Sequence, residues 1–162
     1  MSKIKISGMM HCTGLEKMGM MSIPDRPAVA GKIMSALGAQ GINVQFIVQC
    51  IDVRGNDCVV FCIAQDHVGA AHAILEDLRQ EMGGGQIVQR PSVALLSIFG
   101  PDFRERPGIA GRMFSALGEQ GINILAISTS ISTLSCVIDT DCLEKAVAAM
   151  HDTFELPRGR TP

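Results

Sequence analysis

Two stretches of this chain repeat each other at a constant offset of 80 residues. Residues 24–44 (PDRPAVAGKIMSALGAQGINV) and residues 104–124 (RERPGIAGRMFSALGEQGINI) are identical at 12 of 21 positions. A match of this kind indicates that one structural unit occurs twice. Two copies are too few for a solenoid, because such architectures need about three or more stacked repeats. We therefore expect two small domains of roughly 70–80 residues, packed side by side.

The composition is that of a globular protein and argues against nucleic acid as the main partner. The chain is 47% hydrophobic and 19% charged, with a net charge of −2. A phosphate-binding surface needs clustered Lys and Arg, and the sequence contains no such run. No apolar run reaches the roughly 18 residues of a membrane span, and MSKIKISGMM lacks the apolar core of a signal peptide. These features predict a cytoplasmic protein with no membrane association.

The six cysteines and four histidines form no recognisable metal or catalytic motif. Cys58 and Cys62 lie four residues apart in an apolar, strand-like run, so their Cα atoms are about 13 Å apart, too far for a disulfide. The histidines lack HxH or HxxxH spacing, and the glycine-rich stretches lack GxxxxGK[ST] and GxGxxG. We expect buried thiols in a reducing compartment, with no metal, no cofactor and no catalytic residue.

In the first copy, the hydrophobic pattern predicts a split β-α-β-β-α-β unit with its helices on one face of the sheet. The predicted elements are a strand over 15–23, a helix from Pro27 to about Gly38, strands over 42–53 and 58–63, a helix over 66–82, and a closing strand from Gln86 with Pro91 at its far end.

The second copy lacks its last strand. Its predicted elements are a strand over 93–99, a helix over the second repeat, strands over 122–131 and 134–139, and a helix over about 141–154. An apolar stretch precedes the first copy, and an unpaired sheet edge is a liability. We therefore expect residues 3–11 to return as the missing strand. The predicted fold is α+β, with one domain over 13–91 and another over 92–158 that strand 3–11 completes.

Each repeat opens with an acid, an arginine and a proline, followed by small residues: DRPAVA at 25–30 and ERPGIA at 105–110. The free N–H groups of a helix start bind anions, and small residues let a carboxylate approach them. An adjacent acid such as Asp25 can take an ammonium group. Together these features suit both halves of an α-amino acid. An ordinary helix cap with a proline start is the other interpretation, and both stay open.

Polar residues also recur at matching places in the strands that follow. Gly-Ile-Asn occurs at 41–43 and 121–123, where the Asn could hydrogen-bond a ligand or simply satisfy the turn. Gln49 lies late in the first copy's second strand, and Thr129 and Ser130 lie at the matching place in the second. Polar groups in apolar strands need partners, which could be a neighbouring strand or a small polar ligand.

The segments IPDRPAVAGKIMSALGAQGINVQFIVQ and ERPGIAGRMFSALGEQGINILAISTS, at this spacing, resemble the paired ACT domains of the aspartate kinase regulatory region. The resemblance covers about residues 3–157. It implies two ferredoxin-like domains with the strand exchange described above, and a homodimer formed through ACT domains. It also implies that lysine, threonine or a related amino acid binds at seams between units.

The resemblance further implies two ligand sites. The first would use Asp25, Ala28, Val29, Ala30, Asn43 and Gln49, closed by Thr129 and Ser130 of a neighbouring ACT unit. The second would use Ile109, Ala110, Asn123 and Ile124.

Some positions depart from the family pattern. Ile131 replaces the acid of the usual ISTSE, which disfavours a ligand with a cationic side chain there, and Ala28 replaces the usual glycine. Because no part of the sequence could bind ATP and aspartate, we expect a non-catalytic module for lysine- or threonine-type feedback control. Its partner would be an aspartate kinase catalytic chain. The alternative is a free-standing tandem ACT sensor that regulates another protein, such as a transcription factor.

Overall fold

The computed structural model describes residues 3–157, apart from the side chains of Asp102 and Arg104. Within these residues the chain divides into two compact units: residues 14–92, and residues 93–157 together with 3–13. The predicted domain end at residue 158 lies outside the described residues. The helices and strands, in order, are β1 (Ile4–Lys5), β2 (Gly8–Pro24), α1 (Val29–Ala39), β3 (Phe46–Ile51), β4 (Asn56–Ala64), α2 (Val68–Met82), β5 (Gln86–Phe99), α3 (Ile109–Glu119), β6 (Ala126–Thr129), β7 (Thr133–Asp139), α4 (Leu143–Thr153) and β8 (Phe154–Glu155).

In the first unit, strand β4 lies between β3 and β2 and pairs antiparallel with both. Val60, for example, lies opposite Val48 on β3 and Gly19 on β2. Side chains alternate along a strand, so every second residue of β4 points to the same face of the sheet. That face packs against the apolar stripes of α1 and α2. The core of this unit is formed by Met18, Met20, Ile23, Val29, Ile33, Leu37, Ile42, Val59, Phe61, Ile63, Ala71, Leu75, Leu78 and Met82.

The second unit repeats this arrangement, with β7 between β5 and β6. Leu134 lies opposite Ile98 on β5 and Thr129 on β6, and both pairings are antiparallel. Helices α3 and α4 contribute to one apolar core with the sheet. Its buried members are Ile6, Ala94, Leu96, Ile98, Ile109, Met113, Leu117, Ile122, Leu134, Cys136, Ile138, Ala146, Ala149, Met150 and Phe154.

The N-terminal segment joins this second unit. Strand β1 pairs in parallel with β8, with Ile4 opposite Phe154. The backbone N–H of Ser7 donates to the carbonyl oxygen of Phe99 at 2.8 Å, and Ile6 is buried in the second unit's core. Residues 4–9 therefore supply strand and core contacts to a unit built mostly from the other end of the chain.

The predicted strands over 42–53 and 122–131 are too long: the structure has 46–51 and 126–129. The reason lies in the Gly-Ile-Asn motif. Gly41 and Gly121 adopt φ values of 70° and 68°, and the next N–H returns to the helix, from Ile42 to the oxygen of Leu37 at 3.0 Å. The residues after each glycine thus complete a helix terminus instead of starting a strand.

The predicted end of the closing strand at Pro91 is also wrong. Strand β5 continues through Pro91 and Ser92 to Phe99, so the closing strand of one unit and the first strand of the next are continuous. Proline only removes one donor from a strand, and a strand tolerates it where that donor is not needed. The predicted last helix also ends earlier, at Thr153, because Phe154 and Glu155 form β8 instead.

The prediction that the cysteines are buried is correct for Cys58, Cys62 and Cys136 but wrong for Cys50, which is exposed on the outer strand β3. Cys12 and Cys142 are partly buried, and none of the six cysteines forms a disulfide in the described part of the chain. Burial raises the pKa of Cys62 and of Cys136 to about 12. Both should therefore remain protonated and unreactive near neutral pH.

We expect iodoacetamide at pH 8 to alkylate Cys50 rapidly and to leave Cys62 and Cys136 unmodified in the folded protein. The thiolate is the reactive form, and a pKa of about 12 leaves only ~10⁻⁴ of each thiol ionised at that pH. Mass spectrometry of tryptic peptides measures the labelling. The guanidinium-unfolded chain, in which every thiol is accessible, is the control. Equal labelling of Cys50 and Cys62 in the native protein would contradict this burial.

Candidate functional site

The two repeated helix starts leave backbone donors uncovered. Within the described part of the chain, neither α1 nor α3 has a side-chain hydrogen bond capping its first turn. The helical bonds begin with the N–H of Lys32 to the oxygen of Ala28 (2.9 Å) and the N–H of Arg112 to the oxygen of Gly108 (3.0 Å). The N–H groups of residues 29–31 and 109–111 therefore have no intrahelical acceptor. Each end carries a partial positive charge that suits a carboxylate.

Both helices start from a residue in the left-handed region. Gly108 has a φ of 94°, and Ala28 at the equivalent place has a φ of 75°. An L-residue with a Cβ pays about 1–2 kcal/mol for this conformation, whereas glycine adopts it freely. Because the structure retains the conformation at Ala28 despite this cost, the shape of the turn is imposed by the surrounding fold.

In the second unit, the helix start opens onto a cavity of about 270 Å³. The predicted site residues Ile109 and Ala110 line it, together with Thr129 and Ser130 from the end of β6. The full lining is Phe103, Arg106, Pro107, Gly108, Ile109, Ala110, Thr129, Ser130, Thr133 and Leu134. Drug-sized ligands occupy pockets of about 300–1,000 Å³, so this volume suits a smaller molecule.

Thr129 and Ser130 thus lie beside the helix start of their own unit. The resemblance assigns them to the first site, as contributions from a neighbouring unit, and that assignment stays a prediction. Ser130 also closes the β6–β7 turn. Its Oγ accepts the N–H of Thr133 at 3.1 Å, and its own N–H donates to the oxygen of Thr133 at 2.8 Å.

The two Asn residues of the Gly-Ile-Asn motif point outward, whereas the preceding isoleucines are buried. Asn43 and Asn123 are exposed, and Ile42 and Ile122 are 3% and 4% exposed. Ile124 is partly buried and packs against the core of the second unit. The motif therefore anchors the end of each helix through Ile and leaves Asn available at the surface.

In the first unit, the predicted residues lie around the start of α1 and on β3. Asp25 and Ala28 are exposed, Ala30 is partly buried, and Val29 is buried in the core. Gln49 on β3 is exposed overall, yet its Nε2 donates to Oδ2 of Asp57 at 2.6 Å. Gln49 is therefore held by a specific partner that the sequence interpretation did not include.

Asp57 is the site-adjacent residue that sequence reasoning missed. It has no exposed surface, and its Oδ1 has no hydrogen-bond partner within residues 3–157. The available signal was an aspartate directly before the apolar run CVVFCI, because a strand that is buried on both faces seldom carries an acid.

A well-ordered turn carries Gln49 and Asp57 on its two strands. Oδ1 of Asp52 accepts the N–H groups of Asn56 (2.9 Å) and Arg54 (2.7 Å), and Gly55 supplies the positive φ of 80°. The hydrogen bond from the backbone of Asn56 is the main cause that lowers the pKa of Asp52 below its ordinary value of 3.8. The ionised carboxylate thus stabilises the β3–β4 hairpin.

Comparison with known proteins gives a consistent result. The ACT domain family model matches residues 96–154. An aspartate kinase of Pseudomonas fluorescens (strain SBW25) is 36% identical over 151 residues, which are 93% of this chain and 37% of that protein. This chain therefore spans about a third of the length of the curated relatives it matches.

Two solved structures match over nearly their whole length. The regulatory subunit of aspartate kinase from Thermus thermophilus, in its ligand-free form, has a TM-score of 0.83 and 31% identity, and the match covers 93% of this chain and 99% of that one. A structure of aspartokinase alpha and beta subunits has a TM-score of 0.82 and 28% identity, covering 91% and 97%. Within residues 3–157, no helix has the length and apolarity to cross a membrane.

The repeated helix start provides a matched pair of stability variants. We expect Ala28→Gly to raise the free energy of unfolding by about 1 kcal/mol, and Gly108→Ala to lower it by about 1 kcal/mol, because only the glycine tolerates a positive φ. A Cβ added at Gly108 would meet no atom within 4 Å, so its cost would lie in the backbone alone. Urea denaturation measures both variants. A loss of stability in Ala28→Gly would contradict the conformation described for this turn.

The β3–β4 turn should lose stability in acid. The lowered pKa of Asp52 means that the ionised form favours the folded state, so its contribution is complete above pH ~4 and disappears as the pH falls through the folded-state pKa. Carboxyl ¹³C NMR titration should show Asp52 titrating below its value in the unfolded chain. In Asp52→Asn, the amide protection factors in this turn, corrected for the intrinsic pH dependence of exchange, should no longer change over that pH range. An ordinary titration of Asp52 would refute the hydrogen bonding at the turn.

Proposed function

This chain belongs to the aspartate kinase family as one of its ACT-containing regulatory modules, and from that premise we propose that it binds a free α-amino acid and thereby controls an aspartate kinase catalytic chain. The observation that carries the proposal is the pair of uncapped helix starts, each with three N–H groups that lack an intrahelical acceptor, the second of which lies beside Thr129 and Ser130 at the end of a neighbouring strand. Those donors suit the α-carboxylate of the ligand. Acceptors close to them suit its ammonium group.

Both units take part in this proposal as ACT domains, although the family model matches only the second. The two units share the repeated sequence, the order of helices and strands, and the αL residue before the first helix. We therefore assign ACT domains to residues 14–92 and to residues 93–157 with the N-terminal segment. The free thiols fit a reducing compartment, which supports a location in the cytoplasm.

The partner is proposed from the family. One related structure contains alpha and beta subunits of aspartokinase, and it matches this chain over nearly the whole of one of its chains. In this proposal the kinase chemistry resides in that partner. Ligand binding would then couple to substrate binding by linkage, with typical coupling energies of about 1–3 kcal/mol.

Exposed apolar side chains on the outer strands support self-association. Ile47 and Ile51 on β3 are 38% and 52% exposed, and Ile127 on β6 is 38% exposed. Outer strands also present unpaired backbone groups, which proteins usually cover. We infer that a second copy of the chain covers one of these edges in a homodimer.

The side chain at Ile131 restricts the ligand. It is 66% exposed and follows Thr129 and Ser130, which line the cavity of the second unit. An apolar side chain here gives no counter-charge to a cationic group. The proposal therefore favours a ligand with a short neutral side chain, such as threonine, over lysine at this place.

The test combines binding with assembly. Isothermal calorimetry of the 162-residue chain with L-threonine, L-lysine, L-methionine and glycine should show saturable binding of at least one, threonine first. Co-expression with an aspartate kinase catalytic chain from the same genome should give a complex whose activity responds to the same amino acid. Binding of none of the four amino acids would refute the ligand class. Binding without any kinase complex would favour the free-standing sensor.

Replacing the acid before α1 tests the ammonium contact. We expect Asp25→Ala to abolish amino-acid binding at the first site while the protein stays folded, because Asp25 is exposed and lies outside the core. Asp77→Ala, at an exposed position on α2, is the matched control and should bind like the wild type. Calorimetry and circular dichroism measure the two properties. Unchanged affinity in Asp25→Ala would remove Asp25 from the site.

A further inference from the structure

Asp57 occupies an unusual place for an acid. It lies at the start of the central strand β4, opposite Ile23 on β2 and Ile51 on β3. By the alternation of the strand, its side chain shares a face with Val59 and Phe61, which pack in the core beneath α1 and α2. Its side chain is completely buried. The carboxyl group therefore lies on the helix-covered side of the sheet, near the end where α1 begins.

One carboxylate oxygen is satisfied and the other is not. Oδ2 accepts from Nε2 of Gln49 at 2.6 Å, whereas Oδ1 is buried with no partner in the described part of the chain. A buried polar atom without a partner is costly, and a buried charge is more costly still. A residue kept only for packing at this position would not need to be an acid. The unsatisfied oxygen therefore calls for a functional explanation.

The hydrogen bond determines how Gln49 presents its amide. Because Oδ2 of Asp57 accepts from Nε2, the amide group of Gln49 turns its NH₂ toward Asp57. Its carbonyl oxygen Oε1 then faces away from Asp57, and the Gln49 side chain is exposed on that side. The outward group is thus an acceptor, with the buried carboxyl group of Asp57 on the other side of the amide. An acceptor in that position suits a ligand ammonium group.

The second unit lacks this device. At the offset of the repeat, Gln49 corresponds to Thr129, and their cross-strand partners are Val59 and Leu134. Asp57 lies two residues before Val59 in the first unit. Ser132 lies two residues before Leu134 in the second unit, and it is exposed. Only the first unit combines an amide with a buried acid, so the two units should recognise an ammonium group differently.

We propose that Asp57 is the positioning residue of the first amino-acid site: it fixes the Gln49 amide so that Oε1 accepts a hydrogen bond from the ligand's α-ammonium group. This inference rests on the proposed function, because it assigns a role within the same site. Asp57 does not touch the ligand; it acts through Gln49.

The test uses Asp57→Asn, which keeps the shape of the side chain, replaces one acceptor oxygen with an NH₂ donor and allows the Gln49 amide to invert. We expect the affinity for the L-amino acid that binds the wild type to fall at least tenfold at the first site. The thermal midpoint should not fall, because an unsatisfied buried carboxylate has been removed. Glu16→Gln is the matched control. Glu16 is also buried with an unpartnered oxygen, on β2 of the same unit, and this variant should retain wild-type affinity.

Two further measurements separate positioning from general damage. The double variant Asp57→Asn/Gln49→Ala should bind no more weakly than Gln49→Ala alone, because both changes remove one interaction. Without any ligand, ¹⁵N NMR should show the Gln49 side-chain amide protons shifted downfield in the wild type, and near unfolded-chain values in Asp57→Asn.

The outcomes are distinguishable. If the wild type binds none of threonine, lysine, methionine and glycine, the proposed function fails and the ligand role of Asp57 fails with it. If the wild type binds and Asp57→Asn binds equally well, only the role of Asp57 is overturned. A fall in affinity together with a fall in thermal midpoint would show a structural residue and would also overturn it. A loss of binding with unchanged stability, and an NMR change at Gln49, supports it.

Discussion

The packing of one apolar helix stripe against one sheet face determines the rest of each unit. In α1, Val29, Ile33 and Leu37 are at most 5% exposed, and α3 repeats this with Ile109, Met113 and Leu117. Each such side chain contributes roughly 1.5–3 kcal/mol when it is fully buried. Since the first residue of each helix belongs to its stripe, burial fixes where the helix begins. The free N–H groups of the first turn are therefore placed by the core and not by a cap.

This arrangement explains why a strained residue persists before α1. A side-chain cap would satisfy the helix start but would occupy the donors that a carboxylate needs. The αL conformation at Ala28 or Gly108 leads the chain into the helix without such a cap. At Ala28 the conformation costs free energy, and the buried stripe directly after it supplies enough stabilisation to hold it. Strain of this kind often accompanies binding sites, because there the surrounding structure over-determines the backbone.

The sequence predicted those features that depend on local pattern. The helical spacing of Ile33 and Leu37 located α1, and the apolar run before Ala64 located β4. The ends of the strands were harder to predict from the sequence. The turn after Gly41 completes the helix terminus, and β5 continues through Pro91. The first outcome depends on the hydrogen bond from Ile42 to Leu37 at the end of the helix, and the second on a strand distant in the chain that pairs with β5. Periodicity carries no information about such partners.

The candidate site was predictable only in part, for a related reason. Each repeated helix start is formed by consecutive residues, so the motif alone identified Asp25, Ala28 and Ile109 as candidates. Asp57 is 32 residues from Asp25 in the sequence, and it meets Gln49 only through the register of β3 with β4. Likewise, Thr129 and Ser130 reach the start of α3 only after β6 has paired with β7.

The two copies have diverged most in the chemistry beside their helix starts, although the helices themselves are nearly repeated. The first unit carries a buried acid and an amide on β4 and β3, and in the second unit hydroxyl groups line the cavity at the start of α3. The uncapped first turn is common to both units, so the carboxylate contact proposed above would be the same in each. The acceptors differ, and selectivity depends on the difference between the contacts that competing ligands can make. The two units therefore have the same fold but different polar side chains near the proposed sites. Ligand preference should be measured for each unit separately.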